Sequence, residues 1–170
     1  MSGMLLVTLV MRWAHILSAI VALGGTIFMR YIIHPVTTDQ MADAQLEHFR
    51  AAVRKRWMRI LHLCITLFLI SGFYNYLVVQ NPLHKGDGLY HALFGIKFLL
   101  ALVLFALAIM VSSAKGYAAK FRANAPFWMG VIVFIGIVIV LISGVMKNRP
   151  VSSAAAGSED EVAVVVPAQP

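Results

Sequence analysis

Four long apolar stretches dominate this sequence and limit what it can fold into. They run over residues 4–33, 57–79, 89–113 and 127–146, and about 20 such residues suffice for a helix to cross the hydrocarbon core of a bilayer. Hydrophobic residues make up 61% of the chain and charged residues only 12%, too little polar surface for a soluble domain of this size. We therefore predict an all-α fold: an integral membrane bundle of four transmembrane helices over residues 1–147, surrounded by lipid.

The segments between the stretches have the charge, proline and glycine content of connectors. They comprise a charged segment over residues 34–56, a turn over residues 80–88 and a basic link over residues 114–126. Residues 148–170 are rich in Ala, Ser, Val and Pro, carry an acidic cluster and show no amphipathic period. We predict that they form a disordered tail.

Basic residues are concentrated in the first and third connectors, so these connectors are expected to face the cytoplasm. This distribution predicts a multi-pass protein of the cell (inner) membrane with both termini outside. The net charge of +7 is explained by this topology and by attraction to anionic lipid, so we expect no nucleic-acid partner.

Ionisable residues inside the spans are costly in lipid and usually face the bundle interior. The first span carries Arg12 and His15, the second begins near His62, and the third carries His91 and Lys97. The fourth span carries none of them, and we expect it to serve packing alone. No carboxylate lies in any span to neutralise Lys97, so its ammonium either reaches the interface or meets an anion from outside the chain, such as a cofactor carboxylate.

His15 shares a helix face with the small residues Ser18, Ala19 and Ala22. This strip is typical of close packing between membrane helices. It would also admit a flat cofactor such as haem, with His15 supplying an axial nitrogen. Spacing alone leaves both interpretations open.

Depth in the membrane limits which histidines could share one ligand. With a rise of about 1.5 Å per residue, His15 and His91 lie at similar distances from the outer boundary, whereas His62 lies near the inner face. The sequence therefore predicts His15 and His91 as the pair of metal ligands. Lys97 would approach such a site from the side, and Arg12 is a further partner for haem propionates.

Several short motifs resemble those of a known superfamily. They are Arg12-Trp13-Ala14-His15-Ile16-Leu17, the run from Gly24 to Arg30, the run Ile70-Ser71-Gly72-Phe73-Tyr74-Asn75, and Gly95-Ile96-Lys97-Phe98-Leu99. Over residues 10–115 the chain is similar to the superfamily that joins copper-resistance protein D (CopD) domains and HemJ-type protoporphyrinogen oxidases. The resemblance implies a four-helix membrane module in which His15 and Lys97 are the functional positions. The HemJ-like branch would add haem b and the oxidation of protoporphyrinogen.

Two functions of different classes follow. The first is a haem b redox protein, either an oxidoreductase acting on porphyrinogens with Lys97 as catalytic residue or an electron carrier to the quinone pool. Its cofactor residues would be His15, His91 and Arg12, and a quinone, a respiratory partner protein or further copies of the chain are open as partners. The second is a copper-handling or purely structural membrane subunit. Because Cu(I) prefers thioether or thiolate pairs, which this chain mostly lacks, the residues favour haem over copper.

Overall fold

The computed structural model describes residues 3–148 and contains four long helices. They are α1 (Gly3–Gln40), α2 (Asp43–Leu83), α3 (Gly88–Ser112) and α4 (Ala125–Lys147), each long and apolar enough to cross a membrane. No strand occurs among the described residues. The predicted all-α four-helix fold is confirmed. The predicted tail lies outside the described residues except for Asn148, which forms the turn after α4.

Large apolar side chains cover the outside of the bundle. Leu17, Phe134 and Leu141 are each at least 60% exposed, whereas one buried apolar cluster contains only four side chains, namely Leu61, Ala108, Val111 and Ile132. In water this arrangement would be unfavourable, but lipid is as apolar as the side chains that meet it. The bundle is therefore compatible with an integral membrane protein.

The first connector is helical over most of its length. Helices α1 and α2 extend through residues 34–56 and are separated only at Met41 and Ala42, whose backbone is extended. This segment is rich in Ala, Gln, Glu, Arg and Lys, all of which have high helix propensity in water. The helices consequently continue past the apolar stretches that identified them. An ion pair from Arg54 to Glu47 (3.1 Å) supports the extension of α2.

Helices α1 and α2 each contain a π-helical turn directly before a pair of residues that ends in proline. The turn Met29–Ile33 precedes His34-Pro35, and the turn Asn75–Gln80 precedes Asn81-Pro82. Proline lacks the N–H that an α-helix needs in its interior. The wider turns shift the hydrogen-bond register before each proline, so the chain remains helical where proline alone would favour a break.

Consecutive helices run antiparallel, which gives the bundle two distinct ends. The turn end carries Gly3, residues 84–87 and Lys147; the link end carries Met41 and the segment 113–124. Helix α1 packs along α2 and α3 along α4, and further contacts join α2 to α3 and α1 to α4. At the turn end Gly86 has a φ of +83°, a left-handed conformation that favours glycine.

Candidate functional site

A cavity of about 560 Å³ lies among the four helices. Its volume is within the range of sites that bind cofactors and small molecules. The cavity wall is rich in aromatic side chains, namely Phe68, Phe73, Tyr76, Phe94, Phe98 and Phe105. Several of these rings contact one another across α2 and α3, including a stacked pair of Tyr76 and Phe94 with centroids 3.6 Å apart. The cavity therefore suits a largely apolar, flat ligand.

Three residues predicted from the sequence line this cavity: Arg12, His15 and Lys97. Lys147, at the end of α4, lines it as well, and none of the described lining residues is an aspartate or a glutamate. All charged groups on the cavity wall are therefore cations. A ligand with acidic groups would complement them.

His15 is held by a hydrogen bond between its Nδ1 and Oγ of Ser71, at 2.9 Å. The Ser71 hydroxyl also contacts the carbonyl oxygen of Leu67. Because a carbonyl only accepts, the single hydroxyl hydrogen goes to Leu67, and Ser71 Oγ accepts a hydrogen from His15 Nδ1. This fixes the tautomer in which Nε2 carries the free lone pair, and no hydrogen bond to Nε2 is found within residues 3–148.

The His15 ring points across to α2 rather than along the small residues of its own helix. Its ring meets Phe68 edge to face at 4.9 Å, and a Cβ added at Gly72 would lie 3.5 Å from His15 Cε1. The imidazole thus lies between Phe68 and the backbone of α2, where its orientation is restricted. A fixed imidazole with one nitrogen anchored and the other free is the usual arrangement of a metal-ligating histidine.

Lys97 is partly buried on the cavity wall and makes no hydrogen bond or ion pair with any residue from 3 to 148. An ammonium group inside an apolar bundle is costly when no anion accompanies it. Among the described residues Lys97 therefore lies on the cavity wall without a carboxylate partner. The ammonium is available to an acidic group of a ligand in the cavity.

His91, the predicted second ligand, is not among the residues lining the cavity. Its Nδ1 lies 2.9 Å from the hydroxyl of Tyr76, and its ring meets Tyr76 and Tyr90 edge to face. The structure thus does not bring His15 and His91 together on the cavity wall. Depth alone suggested the pair, whereas the face of α3 that carries His91 is set by its packing against Tyr76.

His62 is exposed and its Nδ1 donates to the carbonyl oxygen of Met58, at 2.7 Å. It precedes Ser71 by nine residues on α2, which corresponds to about 14 Å along the helix. Because Ser71 bonds His15, His62 lies about 14 Å along α2 from the residue that holds His15.

Further residues at the cavity were not singled out from the sequence. On its wall these are His84, in the turn after α2, and three residues of α4, namely Ser143, Met146 and Lys147. Ser71 does not line the cavity but bonds His15, which does. The fourth helix, which the sequence assigns to packing alone, thus also contributes to the cavity wall. Its signal was weak because serine, methionine and a terminal lysine are ordinary in a membrane helix.

His84 is buried, with 5% of its surface exposed. Its Nδ1 donates to the carbonyl oxygen of Gln80 at 3.1 Å, its ring stacks on Tyr90 at 3.8 Å, and its Nε2 is buried without a partner among the described residues. This histidine occupies the turn end of the cavity.

No group of three or more His, Cys, Asp or Glu side chains that could hold a metal ion occurs between residues 3 and 148. Comparisons of the chain with protein-family models, with curated proteins and with solved structures found no match. The resemblance to the CopD and HemJ-type superfamily stays a prediction.

Proposed function

We propose that this protein binds haem b in the cavity between its helices and acts as a redox protein of the membrane. The observation that carries the proposal is the anchored imidazole of His15, which lines a cavity rich in aromatic rings and whose Nδ1 is bound by Ser71 while its Nε2 is free. A porphyrin supplies four nitrogens to its iron, so a single protein imidazole is enough to attach it. Bound there, haem would supply one-electron chemistry.

The charges on the cavity wall support the same ligand. Haem b has an apolar ring and two carboxylates, and the wall offers aromatic side chains together with Arg12 and Lys97 and no described carboxylate. In an apolar surrounding these cations are stabilised by an acidic partner. Lys97 would hold a propionate at the side of the ring, and Arg12 is exposed enough to reach a second one.

The absorption spectrum of the purified protein tests the proposal. The wild-type protein, expressed with ample haem, should show a haem b spectrum in a reduced-minus-oxidised difference measurement. His15→Ala should abolish it, because alanine cannot replace the axial nitrogen. The matched control is His62→Ala, since His62 is exposed and about 14 Å from the site along α2. A wild-type protein without a Soret band, or one that depends on His62 and not on His15, would refute the proposal.

Lys97→Met tests the role of the ammonium, because methionine keeps the apolar stem and removes the charge. Haem should remain bound through His15, but about tenfold or more weakly, since a hydrogen bond to a charged group contributes about 1.5–3 kcal/mol. The reduction potential should fall, because a nearby cation favours the reduced iron, which carries one positive charge fewer. Lys97→Arg should preserve the potential. If the wild type, Lys97→Met and Lys97→Arg had equal haem affinity and equal reduction potential, Lys97 would not contact the haem.

A further inference from the structure

Gly136 contacts residues of two other helices, so these contacts define one common depth in α1, α3 and α4. A Cβ added at Gly136 of α4 would lie 2.8 Å from Leu23 Cδ1 of α1 and 3.7 Å from Leu104 Cδ1 of α3. These three positions therefore lie side by side across the bundle. From this level, each of the three helices can be followed towards the turn end.

Three residues of the cavity wall lie at nearly the same distance from this level. His15 is eight residues from Leu23, Lys97 is seven from Leu104, and Met146 is ten from Gly136. At about 1.5 Å per residue these spacings correspond to roughly 12, 10 and 15 Å. The imidazole of His15, the ammonium of Lys97 and the thioether of Met146 therefore share one depth to within about one helical turn.

Met146 is the cavity residue of α4 whose side chain can bind iron. It lines the cavity and is otherwise buried, with 7% of its surface exposed. Thioether sulfur is a soft donor and serves as an axial haem ligand together with histidine. Helix α4 packs against α1, so Met146 and His15 reach the cavity from neighbouring helices.

The other histidines of the turn end are less suitable as partners of His15. His91 is engaged by Tyr76 and does not line the cavity. His84 lines it but follows Ser71, the residue bonded to His15, by thirteen positions. His84 stacks on Tyr90, which precedes Lys97 by seven residues or about 10 Å along α3, so it lies closer to the turn end than the level that His15 and Lys97 share.

We propose that Met146 is the second axial ligand of the haem, paired with His15. This inference rests on the proposed function, since it assumes that haem occupies the cavity. With both axial positions filled, the iron has no open position for a substrate. Held by His15 and Met146, haem would supply one-electron chemistry that changes the charge of the iron and leaves both protein bonds in place. Such a site favours an electron carrier over an enzyme that reacts at the iron.

The test compares Met146→Leu with Met129→Leu in the purified, haem-loaded protein. Met129 belongs to the same helix but packs against the buried apolar cluster and not on this cavity. Wild type and Met129→Leu should show the spectrum of a six-coordinate, low-spin haem and bind little carbon monoxide when reduced. Met146→Leu should retain haem through His15, change to a five-coordinate spectrum, bind carbon monoxide and have a lower reduction potential, because methionine ligation raises it.

A second variant covers the case in which Met146→Leu fails to accumulate. Met146→His should restore a six-coordinate spectrum with a potential below that of the wild type. The inference is overturned if the wild-type haem is five-coordinate, or if Met146→Leu leaves the spectrum, the binding of carbon monoxide and the potential unchanged. In both cases a haem that still depends on His15 would leave the proposed function intact, whereas a protein without haem would end both proposals.

Discussion

Ser71 determines which nitrogen of His15 is free. It is 1% exposed, passes its hydrogen to the carbonyl of Leu67 and accepts one from His15 Nδ1. Ser18, another buried serine of the bundle, has a hydroxyl without any partner among the described residues. The two serines have similar burial, but only Ser71 orients a histidine ring.

Ser71→Ala should therefore weaken haem binding without preventing the fold. The loss removes the acceptor of His15 Nδ1, leaving a buried N–H unpaired at a cost of about 1–3 kcal/mol. Removing such a partner of a metal-ligating histidine usually lowers affinity about 10- to 100-fold. Ser18→Ala is the matched control and should bind haem like the wild type with equal or higher thermal stability, because it deletes an unpaired hydroxyl. Equal haem affinity in the two variants would show that Ser71 does not orient His15.

At the level of helices, the sequence predicted the number and order of the spans because apolar length is a strong signal. Their ends were harder to predict, since residues 43–56 form helix by local propensity and not by hydrophobicity. The π-helical turns before Pro35 and Pro82 cannot be recognised from the pattern of apolar residues. The two prolines, which lie near the ends of predicted spans, are the only signal for them in the sequence. Local rules for proline are thus more informative here than hydropathy.

The residues of the candidate site were likewise predicted only in part. Arg12, His15 and Lys97 were predicted because a charged or titratable group in lipid is unusual, and all three line the cavity. Ser71 and Met146 are ordinary residues for a membrane helix, so only packing between helices reveals them. His91 was predicted from depth, but the side of a helix on which a residue lies depends on its neighbours, here Tyr76.

For the whole molecule, helices α1 and α2 are longer than a membrane crossing requires. These helices have 38 and 41 residues, or roughly 57 and 61 Å, against a hydrocarbon core of about 30 Å. The cavity lies towards the turn end. We expect the excess length at the link end to extend into the aqueous phase. There Arg50 bonds Thr38 across the helical hairpin at 2.9 Å.

The distribution of basic residues over the two ends predicts the orientation. Nine of the fourteen Lys and Arg residues belong to the link end, namely Arg30, Arg50, Arg54, Lys55, Arg56, Arg59, Lys115, Lys120 and Arg122. Basic residues near spans favour the cytoplasmic side and are attracted to its anionic lipid. We therefore expect the link end in the cytoplasm and both termini outside, which would place the cavity nearer the outer face.

A pair of reporter fusions tests this orientation in cells. A reporter active only outside the cytoplasm should be active when fused after Pro170 and inactive when placed between Ala114 and Pro126, in the third connector. A reporter active only inside the cytoplasm should give the opposite result at both positions. Replacing the basic residues at 50 and 54–56 by glutamine should weaken or invert this pattern, because positive charge sets the orientation. The reverse result for the unaltered chain would mean that the link end lies outside and that the proposed haem site lies nearer the cytoplasm.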